Sequence, residues 1–198
     1  MRLATISLAS LLGLFAVSSN ASEILQFEGY APPGSLVNVS TSTPYSEAGF
    51  TLTPTNSDSA VFDAADPNAA FPGDSTSWFG FAAGNTITMT GPAPFNLLGF
   101  DVGPISFGSG TTDVTVTADL FGGGTESTIF SGLTTDTTET LNWTGLQDVQ
   151  FSADTDTGLD NINVQAPSTP EPGTVLLFGA GLGALSLVRR RSRSAWPS

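Results

Sequence analysis

The sequence predicts an all-β domain, an antiparallel β-sandwich of jelly-roll type with roughly eight to eleven strands. Three observations carry this. Short runs alternate apolar and polar residues, as a strand with one buried face requires. They recur about every 10 residues with Gly, Pro and Asp between them. No run combines helical periodicity with helix caps.

The clearest run is Asp113 to Phe121, where Val114, Val116, Ala118 and Leu120 share one face and Thr115, Thr117 and Asp119 the other. Similar runs are expected at Glu23 to Glu28, Phe50 to Thr53, Thr86 to Thr90, Phe95 to Val102, Ser127 to Phe130, Thr140 to Trp143, Val149 to Ala153 and Leu159 to Val164. Gly122-Gly123-Gly124 lacks the Lys and helix of a phosphate loop, so it is expected to turn a hairpin. Asp58 to Ser77 has few alternating apolar positions and is expected to be a long loop over one end of the sandwich. No internal repeat is visible, which argues against a solenoid or propeller.

Composition removes several kinds of function. The 198 residues include no Cys and no His, so thiol or Ser-His nucleophiles, zinc sites and disulfides are absent. All five basic residues lie near the ends, at Arg2 and at Arg189, Arg190, Arg191 and Arg193. Ser22 to Pro167 therefore contains no Lys or Arg, yet it holds 17 of the 18 acidic residues, Glu171 being the exception. Nothing in that stretch can neutralise phosphate, which excludes nucleic acid and anionic lipid surfaces as partners. Water, neutral polar ligands and divalent cations suit it.

The two ends read as addresses. Met1-Arg2, the apolar run Leu3 to Val17 and Ser19-Asn20-Ala21 have the order of a secretory signal peptide, helical and cut between Ala21 and Ser22, whose partner is the secretion translocon. At the other end Pro170-Glu171-Pro172-Gly173-Thr174 precedes an apolar stretch, Val175 to Val188, and then Arg189-Arg190-Arg191-Ser192-Arg193. Pro170 and Pro172 keep the chain extended for a processing enzyme. The apolar stretch suits a short transmembrane helix, and the arginines hold its end in the cytoplasm. Three parts result: a signal peptide at 1–21, an ectodomain at 22–167 and a sorting tail at 168–198, with motif 170–174, membrane segment 175–188 and basic cluster 189–193.

That tail resembles the PEP-CTERM sorting signal, whose carriers are handled by an exosortase, a membrane-embedded transpeptidase-like protease. The resemblance implies export across the inner membrane of a Gram-negative bacterium and transient anchoring with a periplasmic ectodomain. Release to the cell surface or the extracellular space follows. Thr169 stands where the family often has Val, and Ser194 to Ser198 extend past the basic cluster.

Phe27-Glu28-Gly29 and Leu159-Asp160-Asn161-Ile162-Asn163-Val164 are similar to the first and last strands of jelly-roll carbohydrate-binding modules and of ectodomains common in PEP-CTERM proteins. In those modules the terminal strands are neighbours, and a Glu from the first with an Asp from the last can hold a structural calcium. The resemblance gives that role to Glu28 and Asp160. The residues themselves suggest a second arrangement, in which Asp154, Asp156 and Asp160 alternate around Gly158 so that their oxygens converge on calcium. Gly158 is one place early for an EF-hand and Gln165 stands where its Glu should be, so a solvated Asp-rich turn is the competing reading.

Asp156-Thr157-Gly158 also matches the aspartic-protease triplet, but no second copy exists, and that match is accidental. Trp78, Phe79, Phe81 and Trp143 can be core residues or a platform for sugar stacking, and Trp78, at the edge of the acidic loop, is the candidate ligand contact. No pair of carboxylates stands out as a glycosidase pair. The sequence therefore predicts a non-catalytic surface or matrix protein associated with extracellular polysaccharide. The alternatives are a carbohydrate-binding module with a structural calcium and, distantly, a glycoside hydrolase.

Overall fold

Inward-facing Val114, Val116 and Ala118 alternate with more exposed Asp113, Thr115 and Thr117, and the same period organises most of the chain. The computed structural model describes residues 22–66, 76–105 and 110–167. All of them belong to one compact unit, Asn20–Pro167. Ala21, Pro170, Glu171, Pro172, Gly173, Arg189, Arg190 and Arg191 lie outside the described residues, as do both expected terminal helices.

There are eleven strands and no helix among the described residues. In chain order they are β1 (Ser22–Leu25), β2 (Leu36–Val39), β3 (Tyr45–Glu47), β4 (Phe50–Pro54), β5 (Ser59–Phe62), β6 (Trp78–Phe81), β7 (Thr86–Pro104), β8 (Thr112–Leu120), β9 (Thr125–Leu133), β10 (Thr137–Ala153) and β11 (Thr157–Gln165). Every pairing is antiparallel.

The two long strands make this one network into two leaves. The start of β7 pairs with β4 and with the end of β10, from which β8 and then β9 continue. The remainder of β7 pairs with β11 and with the start of β10, and from β11 the order runs on through β6, β5 and β2. β7 changes partners at Gly91-Pro92-Ala93-Pro94, which has no partner in either ladder, so the two prolines cost no ladder bond. The sequence reads β7 and β10 as two strands each because these crossing points carry turn residues.

The leaves close on one core. Phe100 meets Phe151 edge-on with ring centroids 5.2 Å apart, Phe50 meets Phe95 at 5.2 Å, and Phe27 lies between Tyr45 and Phe79. Burying each such ring contributes about 1.5–3 kcal/mol. The glycine run forms the expected hairpin between β8 and β9, with the Gly123 N–H donating to Leu120 O and all three glycines at positive φ. The expected loop from Asp58 to Ser77 needs correction, because it contains β5. Ser59, Ala60 and Val61 are all buried there, which removes the alternation by which an exposed-face strand is recognised.

Candidate functional site

β11 is the spine of the candidate site. β7 runs along one side of it. The other side is shared by β6, opposite Thr157–Leu159, and by β1, opposite Ile162–Gln165. Asp160 and Asn161 fall in the gap between them. Here the ladder to β7 also slips, since Asp160 faces Asp101 while Asn163 faces Gly99. Asn161 takes φ 47°, a left-handed conformation that Asn tolerates better than most residues, and the result is a bulge that re-aims side chains.

The chain leaving β1 and the chain entering β6 both come to this gap. Ser77 N–H donates to Glu28 Oε1 at 2.8 Å, and the Thr76 hydroxyl donates to Asp160 Oδ2 at 2.7 Å. Two adjacent residues thus tie Glu28 to Asp160 across most of the chain. Asn161 Nδ2 donates to Asp101 Oδ2 at 2.8 Å and to Asp160 Oδ2 at 3.3 Å. Close by, Glu47 Oε2 accepts from the backbone of Gln26 and Phe27 and from the Tyr45 hydroxyl. Burial, then the bond to Glu47, pushes the Tyr45 hydroxyl far above its ordinary pKa, with smaller contributions from the Glu47, Tyr30 and Asp160 charges.

Asp160 is fully buried in a domain without Lys or Arg. A buried carboxylate in that setting is costly unless donors or a cation compensate it. Carboxylate, hydroxyl, amide and backbone oxygens form the ligand set of calcium. Among the described residues no three acidic side chains are grouped to hold an ion by themselves. An ion here would need Glu28 and Asp160 completed by backbone or hydroxyl oxygens and water, which six- to eightfold coordination admits.

Asp154 and Asp156 do not join this group. Asp154 Oδ1 accepts from Asp113 N–H at 2.8 Å, and Asp156 Oδ1 accepts from Ala83 N–H at 3.1 Å. Gly158, expected in a tight turn, lies within β11, so Asp156 and Asp160 are separated by about 13 Å of extended chain. One ion cannot span them.

Trp78 also differs from expectation. It is only 2 % exposed and is stacked on Phe62, centroids 4.3 Å apart and planes 11° apart, with Ile105 against it. Neither ring face is open to a sugar. Phe79 and Phe81 are core, and Trp143 is half-buried against it.

No pattern in the sequence points to Thr76, Ser77, Asp101 or Glu47. Only the Asn161 bulge had a local cue, in the Asp-Asn step before Ile162. A second acidic pair, Asp119 and Asp148, stands directly across β8 and β10. Burial, and then the Asp119 charge, raise the Asp148 pKa, while a bond with Gln150 opposes the rise.

Comparison with known proteins bears on the tail. Residues 168–192 match the PEP-CTERM protein-sorting motif. The chain carries this sorting signal. It marks a protein addressed for exosortase-directed export, with a membrane-anchoring signal at its C-terminus. Among curated proteins no relative matches the chain. Among solved structures, the enzymatically active domain of bacteriophage CBA120 tailspike protein 4 is 14 % identical, with a TM-score of 0.33 over 59 % of this chain and 19 % of that one. TmCBM61, solved with β-1,4-galactotriose, is 11 % identical, with a TM-score of 0.36 over 61 % of this chain and 90 % of that one. A family 6 carbohydrate-binding module is 17 % identical, with a TM-score of 0.36 over 68 % and 94 %. Likenesses of this size assign neither ligand nor activity.

Proposed function

We propose that this protein is an exported, non-catalytic surface or matrix module which an exosortase cleaves at Pro170-Glu171-Pro172-Gly173, and which then associates with extracellular polysaccharide. The observation that carries the reading is the sorting-motif match at 168–192. The ectodomain supports the destination by its chemistry. It has no cation with which to hold nucleic acid, and its outer strand positions are rich in Ser and Thr. A structural calcium held by Glu28 and Asp160 belongs to this reading, supported by the convergence of Thr76 and Ser77 on those two carboxylates.

Mass spectrometry of the protein released by the cells tests it. The expected mature chain begins at Ser22 and ends at or near Pro172. A released chain that still ends in Pro197-Ser198 overturns the processing.

A further inference from the structure

Outward positions of a sandwich sheet normally carry polar side chains, because that face meets water. The leaf formed by β2, β5 and β6 departs from this. Phe62, Trp78 and Ile105 form an apolar cluster separate from the main core, and beside Phe62 stands Leu36, 43 % exposed.

Register explains the shape of this face. Leu36, Phe62 and Trp78 are successive partners across the three strands, and the neighbouring row is Asn38, Ala60 and Gly80. A row of large side chains therefore borders a row of small ones. The result is an open groove of about 280 Å³, also lined by Asp58, Ile105 and Asp156. Gly80 is needed to keep it: a Cβ there would lie 2.7 Å from both Phe62 Cε2 and Trp78 Cζ3 and 3.1 Å from Ile105 Cδ1. The two rings already stack on one another, so neither is free to swing aside.

The geometry points to this groove as the binding site for a neutral, hydroxyl-rich glycan segment, a step that rests on the polysaccharide reading and gives it a place. Phe62 is half-buried and lines the groove, and its stacking on Trp78 fixes the ring before any ligand arrives, which lowers the ordering cost of binding. Its exposed part offers an apolar surface for the C–H face of a sugar ring. Asn38 supplies both a donor and acceptors, and the carboxylates of Asp58 and Asp156 accept from hydroxyls. Asp156 is steadied by the Ala83 N–H. The same carboxylates, in a domain without Lys or Arg, repel uronate, sulfate or phosphate groups. The volume is at the lower end of small-ligand pockets, and the open form lets a longer chain run past.

Calorimetric titration of the full chain, kept in a polyoxyethylene detergent that carries no sugar, tests the assignment with cellohexaose, mannohexaose, galactohexaose and, as the anionic comparison, hexagalacturonate. At least one neutral hexaose should bind and hexagalacturonate should not. Asn38→Ala and Asp58→Asn, both at exposed positions, should each weaken binding about tenfold with the thermal midpoint unchanged, and Phe62→Ala should abolish it. Ile129→Ser, on the edge strand of the other leaf, should leave affinity as it was. Neutral binding that survives Asn38→Ala, Asp58→Asn and Phe62→Ala alike overturns the groove and leaves the polysaccharide reading standing. Failure of all three neutral hexaoses to bind overturns both, and preference for hexagalacturonate overturns the neutral assignment.

Discussion

Two places bring acidic side chains together, and they differ in what surrounds them. Around Asp160 the chain supplies the Thr76 hydroxyl and the Asn161 amide, the Ser77 N–H does the same for Glu28, and Asp160 itself is wholly buried. Asp119 and Asp148 instead face each other on the outer side of the β8–β10 ladder, just past its slip between Leu146 and Asp148, and there burial first and the Asp119 charge second raise the Asp148 pKa. Carboxylates gathered by a bulge and two converging chain segments have the surroundings of a ligand set. Carboxylates set directly opposite one another across two strands, with no converging segment between them, repel.

The largest test of that contrast is calcium itself. At 100 times its dissociation constant, an ion bound only by the folded state adds about 2.7 kcal/mol. For a domain of this size the thermal midpoint of chelator-treated full chain should rise by roughly 5–10 °C on adding calcium at fixed ionic strength. Asp160→Asn should remove most of that rise, and equal midpoints with calcium and with chelator would remove the ion from the site.

A smaller effect, of opposite sense, is expected at the second pair. Asp148 has a raised pKa in the folded protein, so the folded state binds more protons than the unfolded one just above the ordinary carboxylate pKa of 3.8, and stability falls as pH rises through that window. Asp148→Asn should therefore stabilise the domain at pH 7 by about 0.2–1 kcal/mol, the scale of cross-strand side-chain pair energies. Denaturant titration should show the gain disappearing below pH 3.8, and a variant less stable than the parent at pH 7 would refute the repulsion. Glu139, also raised by burial, adds to the same pH trend.

The smallest expected change concerns Asp154. Asp154→Ala loses the acceptor for Asp113 N–H and should cost about 1 kcal/mol. The loss should be equal with calcium and with chelator. A calcium-dependent loss would return Asp154 to the metal site.

The strands that could be read in advance are those with one wet face, such as β8, where Val114, Val116 and Ala118 mark the period. β6 is hidden because all four of its residues are buried, Trp78 in a second apolar cluster outside the main core. Trp78 reads as a loop-edge aromatic for the same reason, because its cover comes from Phe62 and Ile105, which are distant in sequence. The Asp154 to Asp160 stretch has the composition of a turn, but Gly158 is the second residue of β11, paired with Gly80 on one side and Gly103 on the other. Glu28 and Asp160 are linked in the sequence only through family resemblance. No local pattern joins residues so far apart, and Thr76 and Ser77, which tie them, carry no signal of their own.

The pairing of β1 with β11 also sets a schedule. Ser22 lies opposite Gln165, and its hydroxyl reaches Asn163, 141 positions later in the chain. The first strand to emerge from the ribosome thus has no partner until the last has been synthesised, and contacts of such long range form late. Through most of synthesis the sheet cannot close, and an unclosed sheet suits a chain addressed for export. The sandwich is sealed by its two ends.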